Sequence, residues 1–129
     1  MDINAPKILI VEDDQFLREF YQELLSGEGY LVDIAEDGEI AQTKIKAGGY
    51  KLVLLDIMLP KKDGVQILED LKQNPVSNLG QIIVLTNLGQ DEIIKKCFEL
   101  GASGYMIKSA LNPEQVLEEI RNYLKASES

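Results

Sequence analysis

The chain has 129 residues, of which 45% are hydrophobic and 27% are charged. This length supports one hydrophobic core, so we expect a single domain over residues 1–129 with a core at about 6–125 and a short polar C-terminal tail. Thirteen basic and 22 acidic residues give a formal net charge of -9, which argues against nonspecific binding to nucleic acid or membranes and favours protein partners. No apolar run approaches the roughly 20 residues that span a bilayer, and no secretory signal precedes Lys7, so we expect a cytoplasmic protein.

Short apolar runs alternate with amphipathic helical patterns along the chain. The runs lie near residues 7–11, 30–35, 51–55, 81–85 and 104–107, and a helical pattern follows each. Five such βα units predict a parallel sheet with right-handed crossovers and helices on both faces, which is a doubly wound α/β fold. The single cysteine, Cys97, falls in the fourth helical pattern, where we expect a buried, unreactive thiol.

The first and last helical patterns have the clearest signals. The apolar face of the first carries Phe16, Leu17, Phe20, Tyr21, Leu24 and Leu25. Asp14 precedes this pattern and is most simply its N-cap, and Gly27 ends it. The last pattern opens with Asn112 as N-cap and Pro113 at the first helical position.

Acidic side chains follow two of the predicted strands. Asp56 ends the run at 51–55, and Glu12, Asp13 and Asp14 follow the run at 7–11. Ligands of open α/β sheets bind at the carboxyl ends of strands, so these acids should face one crevice. Clustered carboxylates need a cation or a shared proton, and an oxygen-only cluster in a chain without histidine favours magnesium over zinc. Because Mg²⁺ commonly binds phosphate as well, phosphate chemistry is the leading hypothesis.

Five polar residues occur in order at the ends of four predicted strands or just beyond them. They are Glu12, Asp13, Asp56, Thr86 and Lys108. The loop after the third strand reads Asp56-Ile-Met-Leu-Pro60 and then Asp63-Gly64. This set resembles the receiver domain of bacterial two-component response regulators, especially the single-domain chemotaxis regulators, over nearly the whole chain. The resemblance implies a flavodoxin-like (βα)5 fold with strand order 2-1-3-4-5.

The resemblance also implies the chemistry of the acidic residues. Asp56 would accept a phosphoryl group from a histidine kinase, a phosphotransfer protein or a small phosphodonor. Mg²⁺ would be the only cofactor, held by Asp13, Asp56 and the backbone carbonyl of Met58, with Glu12 acting mainly through a metal-bound water. The chain would then be a signalling phosphoacceptor that catalyses only its own phosphorylation and dephosphorylation, and not a conventional enzyme.

Lys108, Thr86 and Tyr105 complete the set of residues that the resemblance implies. Lys108 would place its charge on one phosphoryl oxygen, and the Thr86 hydroxyl would donate to another. Thr86 would move toward the phosphoryl group, and Tyr105 would rotate into the vacated space and reshape the face formed by helix four, strand five and helix five. A downstream protein would read that face on a monomer or a phosphorylation-dependent dimer.

Three positions depart from the usual family pattern. Ser109 stands where a proline usually follows the lysine, and a cis bond at a non-proline residue would cost about 3 to 4 kcal/mol. Asn87 replaces a small residue, and its amide would either crowd the phosphoryl group or donate to it. Met58 cannot polarise water through its side chain, which predicts unassisted decay of the aspartyl phosphate. In the loop that contains Met58, we expect Asp63 and Gly64 to form a turn and a helix cap, with Gly64 permitting an unusual backbone angle.

Three alternatives stay open. The chain is compatible with a receiver excised from a larger regulator or hybrid kinase. A haloacid-dehalogenase-like phosphatase also uses an aspartate nucleophile and magnesium, but it needs a second aspartate where Met58 stands. A flavodoxin-like flavin binder has the same topology, but the Glu12, Asp13 and Asp14 carboxylates would repel the flavin phosphate.

Overall fold

The computed structural model describes residues 5–108 and 112–126 of the chain. Strands and helices alternate in the order β1 (Lys7–Val11), α1 (Gln15–Gly27), β2 (Leu31–Ala35), α2 (Gly38–Ala47), β3 (Leu52–Asp56), α3 (Gly64–Gln73), β4 (Gln81–Thr86), α4 (Asp91–Glu99), β5 (Gly104–Ile107) and α5 (Pro113–Ala126). The strands form one parallel sheet in the order β2-β1-β3-β4-β5. The predicted doubly wound, flavodoxin-like fold and its strand order are confirmed.

The sheet separates two apolar layers. Alternate residues of a strand point to opposite faces, so Leu9 and Val11 pack with α2, α3 and α4, whereas Ile8 and Ile10 pack with α1 and α5. Every residue of β3 is buried, as expected for a central strand covered on both faces. Cys97 is fully buried in the first of these layers, and burial raises the pKa of its thiol, which confirms the expected environment.

The helix caps agree with the predictions, and one residue of the predicted α1 face does not. Asp14 caps α1 by accepting a hydrogen bond from the Leu17 amide at 3.0 Å. Tyr21 is fully buried, but Phe16 is 71% exposed, so the prediction that Phe16 belongs to the core face was wrong. The side of α1 that faces the core carries the partly buried Leu17 and the fully buried Tyr21, which are four residues apart. Phe16 lies about 100° away from Leu17 around the helix.

The last helix begins as predicted. Pro113 is the first residue of α5, and the Asn112 side chain accepts a hydrogen bond from the Gln115 amide at 3.3 Å. The inward face of α5 carries Val116, Leu117, Ile120 and Leu124, which are all buried. In the described part of the chain, no helix has both the length and the apolar character needed to cross a membrane.

Candidate functional site

The carboxyl ends of the central strands bring the predicted site residues to one edge of the sheet. β3 lies between β1 and β4, and β5 lies beyond β4. Glu12 directly follows β1, whereas Asp56 and Thr86 are the last residues of β3 and β4. Lys108 follows β5, and its backbone amide donates to the Thr86 carbonyl at 2.8 Å. Parallel pairing therefore assembles residues that are far apart in the sequence.

Three carboxylates converge at this edge. Glu12, Asp13 and Asp56 each offer one oxygen, and these oxygens all lie within 4.8 Å of one another. Glu12 is fully buried and Asp56 is 1% exposed, while Asp13 is exposed to solvent. The donors are all hard oxygen atoms and two of them are buried together, so the residues present fit a magnesium ion. Asp14 belongs to the helix cap and not to this cluster.

Lys108 reaches into the cluster. Its Nζ lies 2.6 Å from Asp56 Oδ2 and 3.0 Å from Glu12 Oε1, and only 13% of its side chain is exposed. Burial lowers the pKa of Lys108, but the hydrogen bond and charge of Asp56, followed by those of Glu12, outweigh it and raise that pKa. The lysine therefore stays charged and neutralises part of the buried negative charge.

The surroundings of Glu12 favour the protonated form of its carboxyl group. Burial raises the pKa of Glu12 to about 8, and the hydrogen bond and negative charge of Asp56 add to this effect. The Asp14 amide, which donates to Glu12 Oε2 at 3.2 Å, and the Lys108 ammonium act in the opposite direction. Without a metal ion, the acidic cluster is thus stabilised by a lysine and a proton shared between neighbouring carboxylates.

The loop after β3 fixes the orientation of Asp56. The Met58 amide donates to Asp56 Oδ1 at 3.0 Å, and Asp63 caps α3 with a complete capping box, which confirms the predicted cap chemistry. The prediction of an unusual backbone angle at Gly64 was wrong. A Cβ atom at Gly64 would lie 2.7 Å from the Asp56 carbonyl oxygen, so this position needs glycine because two backbone segments approach closely. The positive φ angle in this loop, 68°, belongs to Lys61.

The side chains of Thr86 and Tyr105 make their observed interactions away from the three carboxylates. Thr86 is buried, and its hydroxyl donates to the Asn87 carbonyl at 3.2 Å. Tyr105 is 44% exposed and packs edge-to-face on Phe98, with 6.3 Å between the ring centroids. Asn87 is exposed, and the prediction about its amide stays a prediction. Ser109, whose preceding peptide bond was in question, lies outside the described residues.

Two neighbours of the cluster were not recognised in the sequence. The Arg18 guanidinium donates to the backbone carbonyls of Glu12 at 3.0 Å and of Asp13 at 3.3 Å, so it braces the acidic loop. The sequence signal that could have identified Arg18 was a basic residue one turn after the N-cap Asp14. Tyr21 was assigned only to the core, but burial and the charges of Glu12 and Asp56 raise its pKa to about 12.

Comparison with known proteins identifies the family. The family model for the response regulator receiver domain matches residues 8–121. The chain belongs to this family. Chemotaxis protein CheY of Treponema pallidum is 36% identical over 122 residues, which cover 92% of this chain and 83% of that protein. Chemotaxis protein CheY of Halobacterium salinarum is 34% identical, with 95% and 99% covered.

Solved structures agree with this assignment. A CheY-like receiver domain protein from Methanospirillum hungatei superposes with a TM-score of 0.86 at 32% identity, covering 97% of this chain and 98% of that one. The receiver domain described here is therefore part of a two-component signalling family and not a conventional enzyme. Because the chain belongs to the receiver family, the haloacid-dehalogenase-like phosphatase and the flavin binder are no longer needed as alternatives. The chain spans 49% of the transcriptional regulatory protein ResD of Bacillus subtilis, to which it is 31% identical.

Proposed function

We propose that this receiver domain accepts a phosphoryl group on Asp56 in a magnesium-dependent reaction. The donor is the phosphohistidine of a histidine kinase or phosphotransfer protein, or a small phosphodonor. The observation that carries the proposal is the setting of Asp56 itself. Its carboxylate is 1% exposed, lies at the end of the central strand, contacts the Lys108 ammonium at 2.6 Å and is close to two further carboxylates. A buried acid surrounded in this way suits nucleophilic attack on a phosphoryl group.

The reaction forms one bond and breaks one. A carboxylate oxygen of Asp56 attacks phosphorus, and the bond from phosphorus to the donor nitrogen or oxygen breaks, with the electron pair leaving on the donor. The product is an acyl phosphate. The Met58 amide holds Oδ1 of Asp56 during the attack, and the Lys108 ammonium is near enough to move from the carboxylate to a phosphoryl oxygen.

The acidic cluster would hold the magnesium ion that this reaction needs. Asp13, Asp56 and the Met58 carbonyl would bind it, with Glu12 acting through a water. When bound, the ion supplies positive charge for the phosphoryl oxygens. Oxygen-only donors and the mutual repulsion of the carboxylates support this assignment.

Thr86 and Tyr105 would convert the new phosphoryl group into a changed surface. The Thr86 hydroxyl now donates only to a neighbouring backbone carbonyl, so it can exchange that bond for a stronger one to a charged phosphoryl oxygen. Tyr105 now lies on the surface and would rotate inward as Thr86 moves. A free-energy difference of about 3 kcal/mol between the two states would change their ratio by about two orders of magnitude.

The chain would serve as a single receiver domain that passes its state to a downstream protein. The two CheY relatives, with 83% and 99% of their lengths covered, favour a stand-alone regulator. ResD, of which the chain spans about half, supports the alternative of a receiver attached to an output domain. Either arrangement uses the same chemistry at Asp56.

Intact mass spectrometry after incubation with acetyl phosphate tests the proposal. We expect one added phosphoryl group in the presence of Mg²⁺. We expect none with EDTA, and none in an Asp56→Asn variant whose fold is verified by circular dichroism. An adduct of equal yield in Asp56→Asn would refute the proposed acceptor, and an adduct of equal yield in EDTA would refute the role of magnesium.

A further inference from the structure

The β3–α3 loop, residues 57–63, contains a lysine in a backbone conformation that glycine usually adopts. Lys61 has a φ angle of 68°, and it is the one non-glycine residue with a positive φ among residues 5–108 and 112–126. The left-handed region is unfavourable for a lysine, because its Cβ atom comes too close to the following carbonyl oxygen. Contacts with the rest of the fold must therefore hold this loop in place.

A buried carboxylate at the start of α2 provides one such contact. Asp37 Oδ2 lies 3.5 Å from the Lys61 ammonium, and the Asp37 side chain is 12% exposed. The other oxygen, Oδ1, accepts a hydrogen bond from the Ile40 amide at 2.9 Å, so Asp37 is the N-cap of α2 and its carboxylate has a fixed orientation. The Ile40 amide also lowers the pKa of Asp37; burial opposes this effect and the charge of Lys61 adds to it.

The loop also lies directly on the first residue of α2. The Gly38 amide donates to the Pro60 carbonyl at 3.3 Å. A Cβ atom at Gly38 would overlap the Lys62 carbonyl oxygen, so the two backbones touch where no side chain fits. The Lys62 ammonium donates a further hydrogen bond to the side-chain carbonyl of Gln42 on α2. Residues 60–62 are therefore held against α2 by both backbone and side-chain contacts.

The other end of the loop reaches the acidic cluster. The Met58 amide donates to Asp56 Oδ1 at 3.0 Å, and the Met58 carbonyl is one of the proposed magnesium ligands. A single residue separates Met58 from Pro60, which accepts the hydrogen bond from α2. Because each residue has only two soft backbone dihedrals, a displacement of residues 60–62 is passed on to the peptide groups of Met58.

We propose that Asp37 and Lys61 form a positioning pair that sets the affinity of the acidic cluster for magnesium. Neither side chain belongs to the cluster itself. The pair stabilises the left-handed conformation at Lys61, and that conformation keeps the Met58 carbonyl beside the cluster. Without the pair, residue 61 would leave the left-handed region in part of the molecules, and those molecules would bind the ion with one ligand fewer. This inference rests on the proposed function, because it takes Met58 as a magnesium ligand.

Two substitutions at residue 61 separate backbone conformation from charge. Lys61→Ala and Lys61→Gly both remove the ammonium, but only alanine keeps the steric penalty of the left-handed region. We expect Lys61→Ala to raise the Kd for Mg²⁺ by about fivefold, which corresponds to the loss of one partly exposed ion pair. Lys61→Gly should stay within about twofold of the unaltered protein, because glycine adopts this conformation without help.

Magnesium binding is measured directly and through the reaction. Titration of ¹⁵N-labelled protein with Mg²⁺, followed by NMR at the amide signals of residues 56 and 58, gives the Kd without any phosphoryl transfer. The initial rate of the acetyl phosphate adduct across Mg²⁺ concentrations is the second readout. Lys61→Ala should raise the half-saturating Mg²⁺ concentration about fivefold and change the rate at saturation by less than about twofold, because the pair acts on metal affinity and not on the chemical step.

Asp37→Asn tests the other member of the pair. Asparagine keeps the N-cap but removes the charge, so the Kd should rise about fivefold in the unaltered background and less than about twofold in the Lys61→Gly background. The matched control is Glu39→Gln, which removes one negative charge from an exposed position in the first turn of α2 and should change the Kd by less than about twofold. Circular dichroism verifies the fold of each variant.

Equal Kd values for Lys61→Ala and Lys61→Gly would overturn the inference, because the backbone conformation at residue 61 would then have no effect. Equal weakening by Asp37→Asn and Glu39→Gln would also overturn it, since the change in net charge alone would explain the result. If the unaltered protein binds no Mg²⁺ or forms no adduct, the proposed function fails. If it does both while every variant keeps its Kd within about twofold, only this inference fails.

Discussion

Replacing Lys108 with methionine removes the ammonium from the acidic cluster while keeping a side chain of similar length. In the described part of the structure, Lys108 is the one cation that pairs with the side-chain carboxylates of Glu12 and Asp56, which are 0% and 1% exposed. Breaking a buried ion pair by removing one partner costs about 3 to 5 kcal/mol, because the other charge stays buried without compensation. We expect a large loss of stability in the metal-free protein.

The protonation of Glu12 sets the size of that loss. With a pKa raised to about 8, Glu12 is mostly protonated at neutral pH, so Asp56 is the main charge that loses its partner. This places the expected loss for Lys108→Met at the lower end, about 3 kcal/mol at pH 7. Saturating Mg²⁺ should recover part of it, because a divalent cation takes over the neutralisation.

Urea unfolding in EDTA at pH 7 measures the effect. The control is Lys95→Met, which makes the same change at an exposed position on α4 and should alter stability by less than about 0.5 kcal/mol. In an Asp56→Asn background, Lys108→Met should cost only about 1 kcal/mol, since no ionised Asp56 is left alone. Equal losses from Lys108→Met in both backgrounds would refute the ion-pair account.

Three further predictions follow from the same geometry. Folding raises the pKa of Glu12 from 4.5 to about 8, so the folded protein binds a proton that the unfolded chain has released between these values. The free energy of unfolding of the metal-free protein should therefore fall as pH rises from about 5 to 8. Urea titrations measure this slope, and Glu12→Gln should flatten it. Gly64→Ala should lower the free energy of unfolding by more than about 2 kcal/mol and slow phosphorylation, because its Cβ would lie 2.7 Å from the Asp56 carbonyl oxygen. The control is Gly27→Ala, whose Cβ would have nothing within 4 Å and which should be neutral or stabilising in the same unfolding and adduct assays. The Tyr21 hydroxyl has no hydrogen-bond partner among the described residues. Tyr21→Phe should therefore leave the free energy of unfolding in urea unchanged or raise it by about 1 kcal/mol. A decrease of about 1 kcal/mol would contradict this and show that the hydroxyl has a partner.

The alternation of apolar runs and helical patterns was enough to predict the architecture. Fully buried central strands need nearly unbroken apolar sequence, which marked β1, β3 and β4. The edge strands are less apolar, since β2 contains Asp33 and β5 an exposed Tyr105, but their place in the alternation located them. Alternation of strands and helices also leaves few topologies. The strand order came from the family resemblance, and the structure confirms it. The meeting of Glu12 and Asp56 followed from one rule, that parallel strands end at a common edge, whereas the place of Lys108 beside them came from the family resemblance.

The details that escaped prediction depend on three-dimensional packing. A glycine in a sequence does not reveal whether it supplies an unusual φ angle or permits a close approach, which is why Gly64 was misread. Phe16 was assigned to the core because a helical pattern fixes the phase of an apolar face only to within about one residue. The proton on Glu12 and the bracing of the acidic loop by Arg18 depend on burial and on distances across elements. Periodicity carries no information about either.

Mapping the phosphoryl group to a single residue tests the central claim most directly. Borohydride reduces an aspartyl phosphate to homoserine, and peptide mass spectrometry then locates that homoserine in the sequence. After treatment with acetyl phosphate and Mg²⁺, we predict homoserine at position 56 and unmodified aspartate at position 13. Homoserine at another position, or a phosphoryl adduct that leaves residue 56 unreduced, would contradict the account.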